Sequence, residues 1–454
     1  MRSPESCSRR SAPPPSSTGC ARCSSERVAQ LAHVRPFRGL RYNPDHVRLG
    51  GVLAPPYDVV DDAQRDTLYA RDLRNVVRVD FGVEYADDVP GRNDRYTRAA
   101  HFLTSWLELG VLVREPAATM YVHDHEFQLF DGVQQHRRGI LAVVPAEPWE
   151  RRELLPHERT LRGPKADRLA LLRTLRMQTS PVFAVWSGAD LEPLFARLRE
   201  RRPLLGGRTD GEFGSEKHLL WPATPEEAEA FTTALAPATL YVADGHHRYE
   251  TAVAYHHERA ASEPGAPPEA PFRWCLVYLS DAADPALTIL PTHRLVRPAD
   301  GVAYSLDDLW ARLDDIWDLE PAMDIDAAFT RATAMRGDRH AFAAAGADGT
   351  AVLHRPRQAT ASPRARLDVT VLETEVLAPA GLSADDIRTG ALAYTRSVRD
   401  LTAAVARHEA VLGFGVQPAS MAEVMAVADA GEVMPQKSTY FYPKVPTGLA
   451  LHPV

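Results

Sequence analysis

The sequence predicts an α+β fold, with mixed sheets and flanking helices. Three observations carry that prediction. Residues 120–130 alternate in polarity, and residues 139–145 follow as an antiparallel return strand. Residues 239–242 (Thr239-Leu240-Tyr241-Val242) are a β-prone run leading into Tyr249, Ala252, Val253 and His256, spaced i, i+3, i+4, i+7. That is strand, tight turn, helix. Amphipathic stretches with N-terminal capping residues lie between further apolar runs, with no internal repeat and no heptads.

Composition bounds the reading. The 454 residues are 45% apolar and 25% charged, ordinary for a globular protein. A net charge of −8 excludes broad nonspecific nucleic-acid binding. No apolar run is long enough to span a bilayer, and residues 1–30 lack the apolar region of a secretory signal. Four cysteines (Cys7, Cys20, Cys23 and Cys275) do not make a disulfide scaffold, and the cytoplasm fits best.

In order, residues 1–30 are Ser-, Pro- and Arg-rich and read as a disordered leader or an upstream mis-called start. Cys20 and Cys23 are half of a zinc site with no second pair nearby. Residues 31–150 form an N-terminal α/β segment. It holds Arg35-Pro36-Phe37-Arg38-Gly39, a proline-set turn Ala54-Pro55-Pro56-Tyr57-Asp58-Val59, a short helix over 61–70, a strand over 75–81 and a helix over 92–109. His123 and His125 share one face of the 120–130 strand. They are a candidate metal pair, although Tyr121, Phe127 and Leu129 beside them make packing the commoner use.

Residues 151–300 read as the core. Pro156-His157-Glu158 precedes a charged helix over 166–177, so His157 and Glu158 are an acid–base or ligand candidate pair against a plain loop leading into a helix. A strand (180–186) and helices (191–201 and 222–236) follow. Then comes Ala243-Asp244-Gly245-His246-His247-Arg248-Tyr249-Glu250-Thr251-Ala252. Asp244 is the candidate N-cap and Gly245 serves the turn. His246, His247 and Arg248 occupy the first helical turn, where free N–H groups and the positive helix pole disfavour cations. Something anionic offsets them, and a phosphate is the natural candidate. The alternative is a buried polar network closing the turn, with only Asp244 and Glu250 as local partners.

Strands over 272–279 and 287–296 close this region. Residues 301–454 read as a C-terminal α/β segment returning to the site: helices over 305–317 and 421–430, amphipathic stretches over 367–377 and 397–408, a helix–turn–hairpin over 324–355 and a strand over 410–416. The terminal run Met434 to Leu449 is dense in Lys, Ser, Thr and aromatics, with Lys437, Ser438 and Lys444 as candidate phosphate ligands. Its composition predicts an ordered segment near a site.

Six blocks resemble, in matching order, the domain-of-unknown-function family numbered one thousand and fifteen. They are Arg35–Gly39, Ala54–Val59, Pro156-His157-Glu158-x-Thr160, Ala243–Ala252, Leu290-Pro291-Thr292-His293-Arg294 and Met434-Pro435-x-Lys437-Ser438-Thr439-Tyr440-Phe441-Tyr442-Pro443-Lys444. The resemblance spans about residues 34–450.

The His-Glu pair followed by Asp-Gly-His-His-Arg is also similar to free-serine kinases of the ParB/sulfiredoxin-like superfamily. That resemblance implies a ParB/sulfiredoxin-like core, ATP or ADP with Mg²⁺, and nucleotide phosphates bound by Gly245, His246, His247 and Arg248. It implies Glu158 as base for a substrate hydroxyl and Asp244 as catalytic or metal-binding, with His157 and His247 beside them. The 86 positions between Glu158 and Asp244 depart from the small kinases.

The expected function is a nucleotide-dependent small-molecule kinase acting on a hydroxyl such as that of free serine. The alternative is a nucleotide-binding regulatory protein or slow nucleotide hydrolase. A metal hydrolase is disfavoured, because adjacent helical histidines point about 100° apart.

Overall fold

The computed structural model describes residues 32–159, 162–299, 302–313, 315–358 and 362–454. The expected leader, with Cys7, Cys20 and Cys23, and Thr160 of the His-Glu block lie outside the described residues. Residues 31–454 make one compact unit.

The principal elements up to residue 281 are helix α1 (Asp62–Arg71), helix α2 (Arg95–Glu108), strands β1 (Tyr121–Gln128) and β2 (Gln134–Pro145), helix α3 (Arg162–Leu175), strand β3 (Val182–Ser187), helix α4 (Glu192–Arg199), strands β4 (Leu205–Gly211) and β5 (Gly214–Pro222), helix α5 (Pro225–Leu235), strand β6 (Thr239–Asp244), helix α6 (His246–Ser262) and strand β7 (Trp274–Asp281). The helices begin where the sequence supplies caps. Asp61, Asp94 and Thr224 each accept the N3 amide in a capping box, and each is worth about 1 kcal/mol.

The strands form one seven-stranded sheet ordered β4-β5-β1-β2-β7-β3-β6. All neighbours are antiparallel except β7 and β3. Both faces are covered. Tyr121, Leu141, Phe183, Tyr241 and Tyr278 pack into one core; Val122, Ile140, Ala184, Leu240 and Val277 pack into the other. The domain border expected near residue 150 therefore runs through a sheet: β1 and β2 come from one side of it, the other five strands from the other.

A second, six-stranded antiparallel sheet follows. It contains β8 (His293–Val296), β9 (Asp318–Ala322), β10 (Arg339–Gly346), β11 (Gly349–Pro356), β12 (Leu392–Thr395) and β13 (Leu412–Gly415), ordered β9-β11-β10-β13-β8-β12. The chain then returns as strand β14 (Tyr440–Tyr442), paired with Thr288–Leu290.

Local differences from the sequence reading have identifiable causes. Residues 75–81 are not a strand. Asn75 donates to the Gly51 and Leu53 carbonyls at 2.8 and 2.9 Å and accepts the Val77 amide at 3.0 Å, which starts the short helix Val77–Asp80. The run over 287–296 divides at Pro291-Thr292 into two strands belonging to different sheets. The β4–β5 hairpin escapes a sequence reading because its inward positions are polar (Thr209, Glu216 and His218) and it is rich in glycine.

Candidate active site

Strand β6 ends at Asp244, and Gly245 takes φ +92°, in the left-handed region that suits glycine. A Cβ there would meet the Arg248 guanidinium at 2.9 Å. Gly245 is the N-cap of α6 and supplies no side-chain cap, so the helix start presents uncapped N–H donors. Asp244 is not the cap that the sequence suggested. Its two carboxylate oxygens go to Lys444 and Arg248. Burial pushes its pKa up, but Lys444 and Arg248 outweigh burial and hold it well below the usual carboxylate range.

Arg248 is tied down. It donates to Asp244, to the Ser180 hydroxyl at 2.9 Å and to the Pro181 carbonyl. It is a fixed positive back wall. His246 is buried, and its Nε2 accepts from the His157 amide at 3.4 Å. Burial holds it neutral, with its pKa well below the ordinary value. His247 is half-buried and faces the cavity described below.

Two backbone hydrogen bonds, Leu155 N to Leu240 O and Val242 N to Leu155 O, both 2.9 Å, fasten the His-Glu segment alongside β6. His157 is wholly buried. Its Nδ1–H donates to the Val242 carbonyl at 2.8 Å, and its Nε2 accepts from the Thr439 hydroxyl at 3.0 Å. Burial drives its pKa down to about 4. With both nitrogens engaged, His157 joins β6 to the C-terminal segment; it is a positioning group and not a wall of the cavity.

Glu158, the next residue, does face the cavity. Burial raises its carboxyl to about 7 against the opposing pull of Lys437, Lys444 and the Ser438 amide. Its residue surface is mostly covered, and what remains exposed belongs to a residue that lines the cavity.

The C-terminal run supplies the facing wall. Lys437 adopts φ +56°, left-handed for a residue that is not glycine, at a cost of about 1 kcal/mol. It has no ion-pair partner among the described residues. The Ser438 hydroxyl turns inward to the Pro435 carbonyl at 2.6 Å, so its amide, not its side chain, serves the site. Lys444 lies over the Tyr440 ring at 4.7 Å while reaching Asp244.

These groups surround one cavity of about 780 Å³, well within the size range of small-molecule sites. Five of the six sequence blocks contribute to it, through Tyr57 and Asp58, Glu158, Asp244 to Arg248, Thr292, and Lys437 to Lys444. Residues that sequence reasoning missed complete it. Thr209, Glu212 and Glu216 come from the β4–β5 hairpin, Tyr394 from β12 and Arg396 from just beyond its end. Arg396 clamps Glu212 at 2.9 and 2.7 Å and covers the Tyr440 ring at 4.4 Å. A Gly-rich Asp210-Gly211 turn signal was the available clue to the hairpin.

At the mouth of α6 three cations, Arg248, Lys444 and Lys437, stand against three carboxyl groups, Asp244, Asp58 and Glu158. The charges balance when Glu158 is ionised and leave one positive charge over when it is protonated. A magnesium ion bound by Asp244 does not fit this arrangement. Both of its oxygens already face cations, and Mg²⁺ binds through free carboxylate oxygens plus waters and phosphates.

Comparison with known proteins places the chain. Residues 34–370 match the family model described as "Protein of unknown function (DUF1015)". The chain belongs to that family. The sixth block, around Lys437 to Lys444, lies beyond the matched residues. No curated protein matches the sequence. Among solved structures, a free serine kinase variant in complex with AMP is 13% identical, covering 68% of this chain and 92% of its own, with a TM-score of 0.35. A conserved hypothetical protein from Pyrococcus furiosus is 13% identical, covering 69% and 95%, at 0.34. C-terminally truncated SbnI from Staphylococcus aureus is 12% identical, covering 68% and 87%, at 0.32. Among the described residues, no helix is long and apolar enough to cross a membrane.

Proposed function

We propose that the protein is a nucleotide-dependent small-molecule kinase that transfers a phosphoryl group to a hydroxyl. The observation that carries this reading is Glu158, a carboxyl raised to about 7, facing the same cavity as the uncapped start of α6, with Lys437 and Lys444 beside it. A general base works best with a pKa near the operating pH. Phosphoryl transfer otherwise needs positioning and positive charge around the moving group. In this reading the Gly245–His247 amides and Lys437 hold the nucleotide phosphates, with Arg248 and Lys444 as fixed charge behind Asp244. Glu158 accepts the acceptor's hydroxyl proton as the new P–O bond forms and the bond to the nucleoside diphosphate or monophosphate breaks. His247 orients the acceptor or the terminal phosphate.

Free serine is the first acceptor to try, because the His-Glu and Asp-Gly-His-His-Arg segments resemble the free-serine kinases, and with them a ParB/sulfiredoxin-like core. The test incubates the full chain with ATP or ADP, with and without Mg²⁺, and a pool of hydroxyl amino acids. Phosphorylated product, lost on Glu158→Gln, supports the reading; no product and no nucleotide turnover sinks it.

One observation favours a second reading, a nucleotide-binding regulatory protein or slow hydrolase. Three of the five N–H donors of Arg248 are committed to Asp244, Ser180 and Pro181, so it serves to hold the turn together more than to reach a transferring phosphoryl. Tight nucleotide binding with turnover unchanged in Glu158→Gln would select it.

A further inference from the structure

The floor of the central sheet beside the cavity carries a polar cluster that the proposed reaction does not use. His125 on β1 pairs directly across from His218 on β5. Glu216 stands two residues along β5, on the same face. The His125 Nε2 lies 2.8 Å from Glu216 Oε2, and the His218 Nε2 lies 3.9 Å from the same oxygen. All three ligand atoms fall within 4.8 Å of one another. We propose that His125, Glu216 and His218 form a three-ligand site for a zinc-class divalent metal ion, with its fourth position toward the main cavity.

The geometry suits such an ion. Tetrahedral zinc, with bonds of about 2.0–2.2 Å, needs ligand atoms about 3.4 Å apart; the 2.8 and 3.9 Å spacings change by about 0.5–0.6 Å and the third, within 4.8 Å, by at most about 1.4 Å. The set of two imidazoles and a carboxylate, with one position open, is a catalytic-type zinc donor set. The surroundings suit it as well. His218 Nδ1 faces His123 Nε2 at 3.2 Å; donating its N–H there leaves the Nε2 lone pair free for the metal. In the metal-free arrangement that lone pair meets the Thr209 hydroxyl at 2.8 Å. Thr209 and Glu216 also line the cavity, which provides the path in.

One neighbour opposes the ion. Arg137 is fully buried; its Nη2 donates to His125 Nδ1 at 3.4 Å, so His125 carries its proton on Nε2, toward Glu216, until a metal displaces it, and Arg137 Nε and Nη1 have no hydrogen-bond partner among the described residues. Its charge repels a bare cation, so the site favours an ion whose fourth ligand is an anion from the cavity. The same repulsion makes a sharp test, because neutralising Arg137 tightens metal binding only if the metal sits here.

The test uses the full chain with Cys20→Ser and Cys23→Ser, so that leader thiols do not compete. It is stripped with chelator and titrated with Zn²⁺ alone, then with Co²⁺. The expected result is one retained Zn²⁺ per chain, a visible ligand-field band with Co²⁺, and a raised Tm. Glu216→Gln, which keeps the shape, weakens binding at least tenfold, and Arg137→Met tightens it about tenfold. A folded protein that retains no Zn²⁺, or Glu216→Gln and Arg137→Met variants that both bind as the parent does, would overturn the proposal.

Discussion

Replacing Glu158 with Gln tests the chemistry and the electrostatics of the site together. Moving a carboxyl from its ordinary 4.5 to about 7 penalises the charged form by about 3 kcal/mol. The folded-state pKa is above the unfolded one. The contribution of this group is therefore fully present below about pH 4.5 and is lost as pH rises through 7. Gln has the same shape and does not titrate, so the variant escapes that loss. Its stability relative to the parent should rise by about 2 kcal/mol between pH 5.5 and 8.5, the rest having been lost below pH 5.5. Urea unfolding at the two pH values measures this. In parallel, turnover should fall by about 10²–10⁴ while nucleotide affinity persists. A stability difference that is flat or falls with pH would refute the claim that Glu158 is a strained, proton-poised carboxyl.

Four further outcomes are expected. Lys444→Met removes a charge that lowers the Glu158 pKa, so the Glu158-dependent limb of the pH–rate profile should move to higher pH. Calorimetry of Lys437→Met should show at least about tenfold weaker nucleotide binding, the scale of a lost charge-assisted contact. Gly245→Ala forces a side chain into the left-handed region and against Arg248, at a cost of about 1–2 kcal/mol; a thermal midpoint and nucleotide affinity equal to the parent's would contradict the turn geometry. Burial drives His157, His293 and His452 to about 4. Their folded-state values are depressed, so the stability they hold above about pH 6.5 is lost as pH falls, by about 2 kcal/mol each at pH 5. The urea midpoint should therefore drop between pH 6.5 and 5 despite the opposing sign of Glu158.

The local elements with strong caps and periods were legible in the chain, because Asp61, Asp94 and Thr224 act within four residues of themselves. So was the strand–turn–helix at Asp244–Arg248, since its unusual feature, cations at a helix start, is a sequence-local conflict. What side chains did with their charges was not. Asp244 reads as an N-cap from its neighbours, yet Lys444, 200 residues away, takes one oxygen and leaves the cap to Gly245. His157 reads as a catalytic partner of Glu158, yet Thr439 and Val242 consume its nitrogens.

By itself, the sequence determined that this is an α+β protein with cationic residues at the start of a helix after a strand and a tight turn, and a motif-bearing C-terminus. Only the tertiary structure decided that five distant blocks share one cavity, that a polar hairpin forms its side, and that Glu158 is held near neutrality. The reason is physical. Periodicity and capping depend on neighbours along the chain, whereas burial, and the pKa it sets, depend on which distant segments exclude water from a given carboxyl.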